Sequence, residues 1–356
     1  MIKVIKDLSS FGKLKETWDK LYALDPTVTP FQKFDYASAA LDFCLKPSDS
    51  LYIVCVKDAQ SKEWVAIFPF ILNDRHLLYF INAPHTDFCG ALINPLFCHF
   101  NLFNEFADYI KNDKTINGFV LENITQWNPM LSMLKPYFPY SISCSNNYFS
   151  TFPIYRNPSD KDALDSIRFI QSKRRGKLRK IVKDAGLDCS LEYYSWEKRI
   201  AYPEESIKNL AATMTADGIR TKDYLSPKMF KFIENLYGSG TLDVAVLNQN
   251  NSPVACSFIF RDEKKSEYIE WIVLYRDKSW NITLCLGLTE YFYSLGKTIT
   301  FNFARGIYDY KLTNFHPDVK ALFCLRIAKT RRGHIRNILA TAVHYAKPVV
   351  KSFLRR

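Results

Sequence analysis

The chain has 356 residues, 47% of them hydrophobic and 15% aromatic, and 48 Lys/Arg against 36 Asp/Glu give a formal net charge of +12. That length exceeds one ordinary core and the apolar content excludes a disordered chain, so two domains are expected. The charge is local: Arg326 to Arg356 contains nine Lys/Arg and no acid, and Arg168 to Lys183 contains eight basic residues and no acid.

Anionic partners are therefore expected at two places and not over the whole surface. The nine cysteines are scattered, form no C-x-x-C pair and sit mostly in apolar runs such as "YIVCV" at Cys55 and "VACSF" at Cys256. Buried free thiols in a reducing compartment are expected, without a disulfide framework or a zinc cluster. The six histidines make no H-x-x-x-H or H-E-x-x-H array, so no metal is expected. The start "MIKVIKDLSSFGKLK" lacks the apolar core of a signal peptide, and no apolar run reaches the ~20 residues of a transmembrane helix. The expected location is the cytoplasm, peripheral on the inner face of the membrane if the basic tail binds lipid.

In chain order, Phe11, Leu14, Trp18, Leu21 and Tyr22 recur at three- and four-residue steps and predict a helix. A second helix is predicted over 34–44. Strands are predicted at 51–58, 64–73 and 77–83, then a helix at 102–110 and a strand at 118–124. The stretch 146–162, rich in Asn, Ser and Pro, breaks the periodicity and marks a junction. A basic helix follows it, with Ile167, Ile170, Leu178, Ile181 and Val182 as apolar positions. Beyond that, a helix is predicted at 227–236, strands at 241–248, 252–262 and 266–275, a helix at 282–295 and a strand at 298–304. Helix, three-stranded meander, helix and strand thus occur twice, which predicts a duplicated unit. The expected boundaries are 1–150 and 151–328, with 329–356 as a basic amphipathic tail.

Four motifs sit on this frame: "WDKLYALDPTVTPFQKFDY", "LLYFINAPHTDFCGALI", "QSKRRGKLRKIVKDAGLDCSLEY" and "FNFARGIYDYKLTNF". Their order and spacing over roughly residues 15–330 resemble the GCN5-related N-acetyltransferase (GNAT) superfamily. Within it they resemble the tandem FemAB-like branch, and most of all the acetyltransferases grouped with the cellulose-biosynthesis protein CelD. The last motif ends in the family's Tyr-Lys, here Tyr310-Lys311. Asn302 stands where the family has an acid. Asn281-Ile282-Thr283 stand where it has a small-Pro-Gly turn opening a helix.

The resemblance implies an α+β fold of two tandem GNAT-like units, each a mixed, mostly antiparallel sheet flanked by helices, followed by the basic helix. It implies an acyltransferase moving an acyl group, such as acetyl, from acyl coenzyme A to an amine or hydroxyl of a sugar or cell-surface precursor. Donor chemistry would lie in the second unit, with Asn281, Ile282, Thr283 and Lys311 toward the cofactor phosphates. Tandem relatives of the Fem type use aminoacyl-tRNA, so an aminoacyl-tRNA-dependent transferase is the alternative. A non-catalytic protein that keeps the fold is a third reading.

Acyl transfer needs a held carbonyl, a base for the nucleophile and an acid for the leaving group. Glu270 lies inside an otherwise apolar strand, where alternation puts it on one face with Tyr268, Ile272 and Leu274. It reads either as a general base with a raised pKa or as a strand residue paired with a neighbour such as Arg305. Tyr310 reads as the acid for the leaving group or as packing under its loop. Asp309 would replace the lost acid if the loop turns it inward. In the first unit His85 and Asp87 read either as acceptor-binding groups or as turn caps, and Asn302 and Arg305 complete the expected substrate side.

The tail "RRGHIRNILATAVHYAKPVVKSFLRR" places Ile335, Ile338, Leu339, Ala342 and Val343 on one helical stripe. Pro348 is expected to break that helix. With no acid present, the stripe reads either as a helix on anionic lipid or as one docked on its own domain.

Overall fold

The computed structural model describes residues 1–81, 83–167, 169–185, 189–198, 200–219 and 225–354, with the backbone alone at 100, 185 and 347–354. The expected basic residue Arg168 and the glycine that closes the basic motif, Gly186, lie outside the described residues. The chain divides into two compact units, Met1–Asn147 with Ala321–Arg356, and Tyr148–Lys320. The C-terminal segment thus groups with the first unit.

Seven strands come first: β1 (Ile2–Ile5), β2 (Ser50–Lys57), β3 (Trp64–Leu72), β4 (Leu77–Phe80), β5 (Leu92–Ile93), β6 (Gly118–Thr125) and β7 (Ser141–Ile154). Six follow: β8 (Cys189–Tyr194), β9 (Leu242–Gln249), β10 (Ser252–Asp262), β11 (Glu267–Tyr275), β12 (Ile299–Arg305) and β13 (Asp318–Ala328).

In the first unit β1 to β4 pair antiparallel in succession, β4 runs parallel to β6, and β6 runs antiparallel to β13. The helix Phe100–Asn112 covers this sheet because its apolar residues recur every three or four positions and so share one face. It buries Phe103, Phe106, Ala107 and Ile110 against Phe68, Phe70 and Phe119. The Phe68 and Phe106 rings stack with centroids 4.1 Å apart. Each such ring contributes about 1.5–3 kcal/mol by leaving water.

The second unit repeats the plan. β8, β9, β10 and β11 pair antiparallel, β11 runs parallel to β12, and β12 pairs antiparallel with Phe149–Ile154 of β7. The helix Lys278–Ser294 packs Leu284, Cys285, Leu288 and Phe292 onto Tyr268, Phe301 and Phe303. Each unit is therefore an antiparallel meander followed by a helix and a strand parallel to the meander's third, an α+β arrangement with a large mixed sheet and flanking helices.

Several elements differ from their expected extents. The stretch 146–162 contains the end of β7, a 14-residue strand. The helix expected at 282–295 starts at Lys278, because Asp277 is its N-cap and accepts a hydrogen bond from the Ser279 amide at 2.8 Å. The C-terminal helix, Arg331–Leu354, continues through residue 348 and does not stop there. A proline removes one helical hydrogen bond and need not end a helix whose remaining ladder is intact.

Candidate functional site

The site begins with a fork between two parallel strands. β11 and β12 pair only at Glu267 with Thr300, Tyr268 with Phe301 and Ile269 with Asn302. Both strands then continue, β11 to Tyr275 and β12 to Arg305. Asn302 fixes the last rung. Its side-chain amide donates to Glu267 Oε1 at 2.8 Å, and its oxygen accepts from the Ala304 amide at 2.8 Å. That second bond holds Ala304 in the left-handed region, at φ 52°, and bends β12 away.

Glu270 is the first residue of β11 past the fork. It sits at a β-bulge: Glu270 is opposite Ile259 and Ile272 is opposite Phe258, so Trp271 is the extra residue. The bulge corrects the expected alternation. Tyr268 and Glu270 do face the helix Lys278–Ser294, but beyond Trp271 it is Val273 and Tyr275 that pack on that side, not Ile272 and Leu274.

Glu270 is 1% exposed and Lys311 4% exposed, and Lys311 Nζ lies 3.4 Å from Glu270 Oε2. Lys311 also donates to the Phe303 carbonyl at 3.0 Å and lies over the Phe303 ring at 4.5 Å. The partner of Glu270 is thus Lys311, and the expected pairing with Arg305 gives way to it. Burial pushes the Glu270 carboxyl above the usual carboxylate range, opposed by the Lys311 charge. The Cys285 thiol lies 3.9 Å from Glu270 Oε1, and burial with the adjacent carboxyl pushes it well up. Tyr310 is half-buried at the same place, beside Asn281, and burial raises its hydroxyl pKa strongly. At neutral pH it is therefore a hydrogen-bond donor.

Tyr310 and Lys311 occupy the first turn of a helix, Asp309–Phe315, where a loop was expected. The chain reaches it through Gly306, whose φ of 110° suits glycine and whose amide donates to the Tyr148 carbonyl at 2.7 Å. Asp309 is exposed on that turn and does not point inward. Asn281, Ile282 and Thr283 lie in the second turn of Lys278–Ser294 and not at its opening; Asn281 is buried beside Tyr310 and Cys285. Arg305 ends β12, opposite Phe149. The structure thus brings together Glu270, Tyr310, Lys311 and Asn281. Cys285 and Glu267 join them without having been singled out, because only the register of the helix and of β12 puts them there.

His85 and Asp87 belong to the first unit. His85 ends a short 3₁₀ helix, with its ring 5.0 Å from that of Phe43, and Asp87 is buried. Around them the Trp-to-Gln motif acts as a clamp. Trp18 Nε1 donates to the Gln32 carbonyl at 2.7 Å, and the Gln32 side chain donates to the Phe88 carbonyl. Asp25 accepts from the Ile93 amide at 2.8 Å. These contacts tie 83–93 to the N-terminal helices.

The basic helix, Ser172–Ala185, splits its charges. Arg179 bridges Asp162 and Asp165 at 2.7 Å each, and Arg175 lies 3.4 Å from Asp165. Lys173, Lys177, Lys180 and Lys183 are exposed at three- and four-residue steps, a single stripe on the helix.

No protein-family model matches the chain, and no curated protein matches it. Solved structures do match. The C-terminal domain of an Agrobacterium fabrum protein described as a lysylphosphatidylglycerol synthetase aligns with a TM-score of 0.60 at 10% identity, over 94% of this chain and 96% of that one. FemX aligns with a TM-score of 0.59 at 10% identity, over 87% and 95%. A tandem GNAT protein from the clavulanic acid biosynthesis pathway aligns with a TM-score of 0.55 at 9% identity, over 93% and 99%. The chain has the tandem GNAT-like fold over both units. Among the described residues no group of three or more His, Cys, Asp or Glu is placed to hold a metal ion, and no helix is long and apolar enough to cross a membrane.

Proposed function

We propose that the chain is an acyl- or aminoacyl-transferase with its reacting centre at the β11–β12 fork. The observation that carries this is the placement of Glu270, Lys311 and Tyr310 immediately past the last paired rung. There the backbone of β11 is released from β12 and can hold an acyl carbonyl. A nucleophilic amine or hydroxyl adds to that carbonyl, and the leaving oxygen or sulfur must then gain a proton. Tyr310, kept protonated by burial, is the donor of that proton. Glu270 and Lys311 are sealed from solvent and act by fixing the helix that carries Tyr310. They are positioning residues in this reading.

Among donors, one attached to RNA fits better than acyl coenzyme A. A coenzyme pyrophosphate would need the free N–H groups at the start of Lys278–Ser294, where the Asp277 carboxylate already takes the Ser279 amide and would repel it. The four exposed lysines of Ser172–Ala185 suit a phosphate backbone. The acceptor in this reading is an amine or hydroxyl on a sugar or cell-surface precursor, the class implied by the CelD-like motifs.

The test pairs binding with turnover. Bacterial aminoacyl-tRNA is expected to bind with a steep salt dependence, while acetyl coenzyme A gives no heat at millimolar concentration. Tyr310→Phe is expected to lower transfer by about 10²–10⁴ with donor binding unchanged. Tight acetyl coenzyme A binding without RNA binding would instead support the coenzyme A donor, and binding of neither would support a non-catalytic protein.

A further inference from the structure

The C-terminal helix leaves its apolar side uncovered. Ile335, Ile338, Leu339 and Val343 are 50%, 47%, 61% and 55% exposed. These positions recur at three- and four-residue steps, so they form one stripe along three turns. The helix meets its own unit mainly through the side that carries His334, Thr341 and Tyr345, with Ile338 at the edge of that contact. The Tyr345 hydroxyl donates to the Ser145 carbonyl at 2.9 Å, and the His334 ring lies 5.5 Å from the Tyr140 ring. Docking on its own domain therefore uses that side, and the stripe is left mostly facing outward.

The charge pattern says what would cover it. Arg331, Arg332 and Arg336 are exposed on the same helix, and from Arg326 to the end of the chain the sequence has nine basic residues and no acid. An apolar partner of ordinary composition would gain nothing from that bias. A surface that is apolar inside and anionic outside would match both features. Ile338 and Ala342 also line an open groove of about 600 Å³ together with Lys135, so apolar and basic groups share that groove.

We propose that Arg331–Leu354 docks this chain on an anionic lipid surface, with Ile335, Ile338, Leu339 and Val343 entering the acyl boundary and the flanking arginines meeting lipid phosphates. The proposal is independent of the transfer reaction, since it needs neither donor nor acceptor.

Sedimentation of the full chain with vesicles tests it. The protein is expected to sediment with phosphatidylcholine vesicles containing phosphatidylglycerol, weakly with phosphatidylcholine alone, and to be released by salt. Arg336→Gln is expected to weaken partitioning about fivefold, the equivalent of ~1 kcal/mol for one basic residue near the surface. Ile335→Ser with Leu339→Ser is expected to weaken it about tenfold or more. Because these side chains are exposed, the urea midpoint of each variant should match that of the parent, which separates lost docking from lost folding. Equal binding by parent and variants would overturn the proposal. So would a parent that is dimeric without vesicles and becomes monomeric on Ile335→Ser/Leu339→Ser, since the stripe would then serve a second copy. Sedimentation that is abolished by removing bound RNA would overturn it as well.

Discussion

Lys311 Nζ and Glu270 Oε2 stand 3.4 Å apart with both side chains almost wholly removed from water. Glu270's carboxyl is nonetheless pushed above its ordinary pKa, so the cost of desolvating it exceeds the attraction of Lys311. The folded-state pKa is raised, so the group's contribution is complete below the ordinary carboxylate range and is lost as pH rises through the folded value. Lys311→Met removes the opposing charge and should enlarge that loss, to about 1.4 kcal/mol per pH unit between the two values. Near neutral pH the substitution is expected to cost about 3–5 kcal/mol, whereas Glu270→Gln with Lys311→Met should be close to neutral and pH-independent. Urea unfolding at mildly acid and mildly alkaline pH checks both. A Lys311→Met variant that is more stable at the alkaline end would refute the assignment.

Asn302 should not tolerate the acid that its resemblance motif carries. Its amide donates to Glu267, whose own pKa is raised by burial, so an aspartate would lose the donor and face a second carboxylate. Asn302→Asp is expected to cost about 1–3 kcal/mol at neutral pH and less in acid, where one carboxyl can carry a proton for the other. Adding Glu267→Gln should restore most of the loss by supplying an amide donor from the opposite side. If the double variant were no better than Asn302→Asp alone, the hydrogen bond would not be what selects asparagine.

That pair also marks how far the sequence could be read. The alternation in β2, β3 and β9 to β12 is visible in the residues because each strand buries at least one apolar face, and the duplicated order follows from it. β7 is nearly invisible, since Ser141 to Asn147 are mostly polar and all half-exposed, and only non-local pairing makes them a strand. Tyr310 and Lys311 stood out by their motif. Their partners did not: Glu267 meets Asn302 across a parallel rung, and Cys285 meets Glu270 only because the helix begins four residues before the position expected for it. A bulge at Trp271 likewise reverses the face of everything after it, and nothing local in "EWIVLY" announces that insertion.

The helix start itself is testable. Asp277 accepts from both the amide and the hydroxyl of Ser279, and its carboxyl is held below the usual range chiefly by the amide. A lowered folded pKa means the cap contributes above the ordinary carboxylate range and is lost as pH falls through the folded value. Asp277→Asn should keep the cap and Asp277→Ala should lose it. Protection of the Ser279 amide, measured as its exchange rate relative to the intrinsic rate at the same pH, is expected to fall in the alanine variant and in acid for the parent, but to persist in Asp277→Asn at neutral pH.

One of the nine thiols should react ahead of the others. Cys144 of β7 is half-buried in the first unit, its thiol donates to the Cys324 carbonyl at 4.0 Å, and its pKa is lowered chiefly by the neighbouring Cys324 thiol, with the Arg326 charge adding to it. Cys324 is buried and its own pKa is raised, as are those of buried Cys55 and Cys256. The nucleophile in thiol alkylation is the thiolate, so reactivity follows the lowered pKa and access together. Iodoacetamide at slightly acid pH is therefore expected to modify Cys144 first, with a midpoint below that of an ordinary thiol. Cys324→Ala removes the neighbouring thiol and should move the midpoint up, whereas Cys324→Ser keeps a polar hydroxyl there and should move it less. Peptide mapping across a pH series decides the point. Labelling led by another cysteine, or a Cys144 midpoint unchanged by Cys324→Ala, would mean that the Cys324 thiol does not set the reactivity of Cys144.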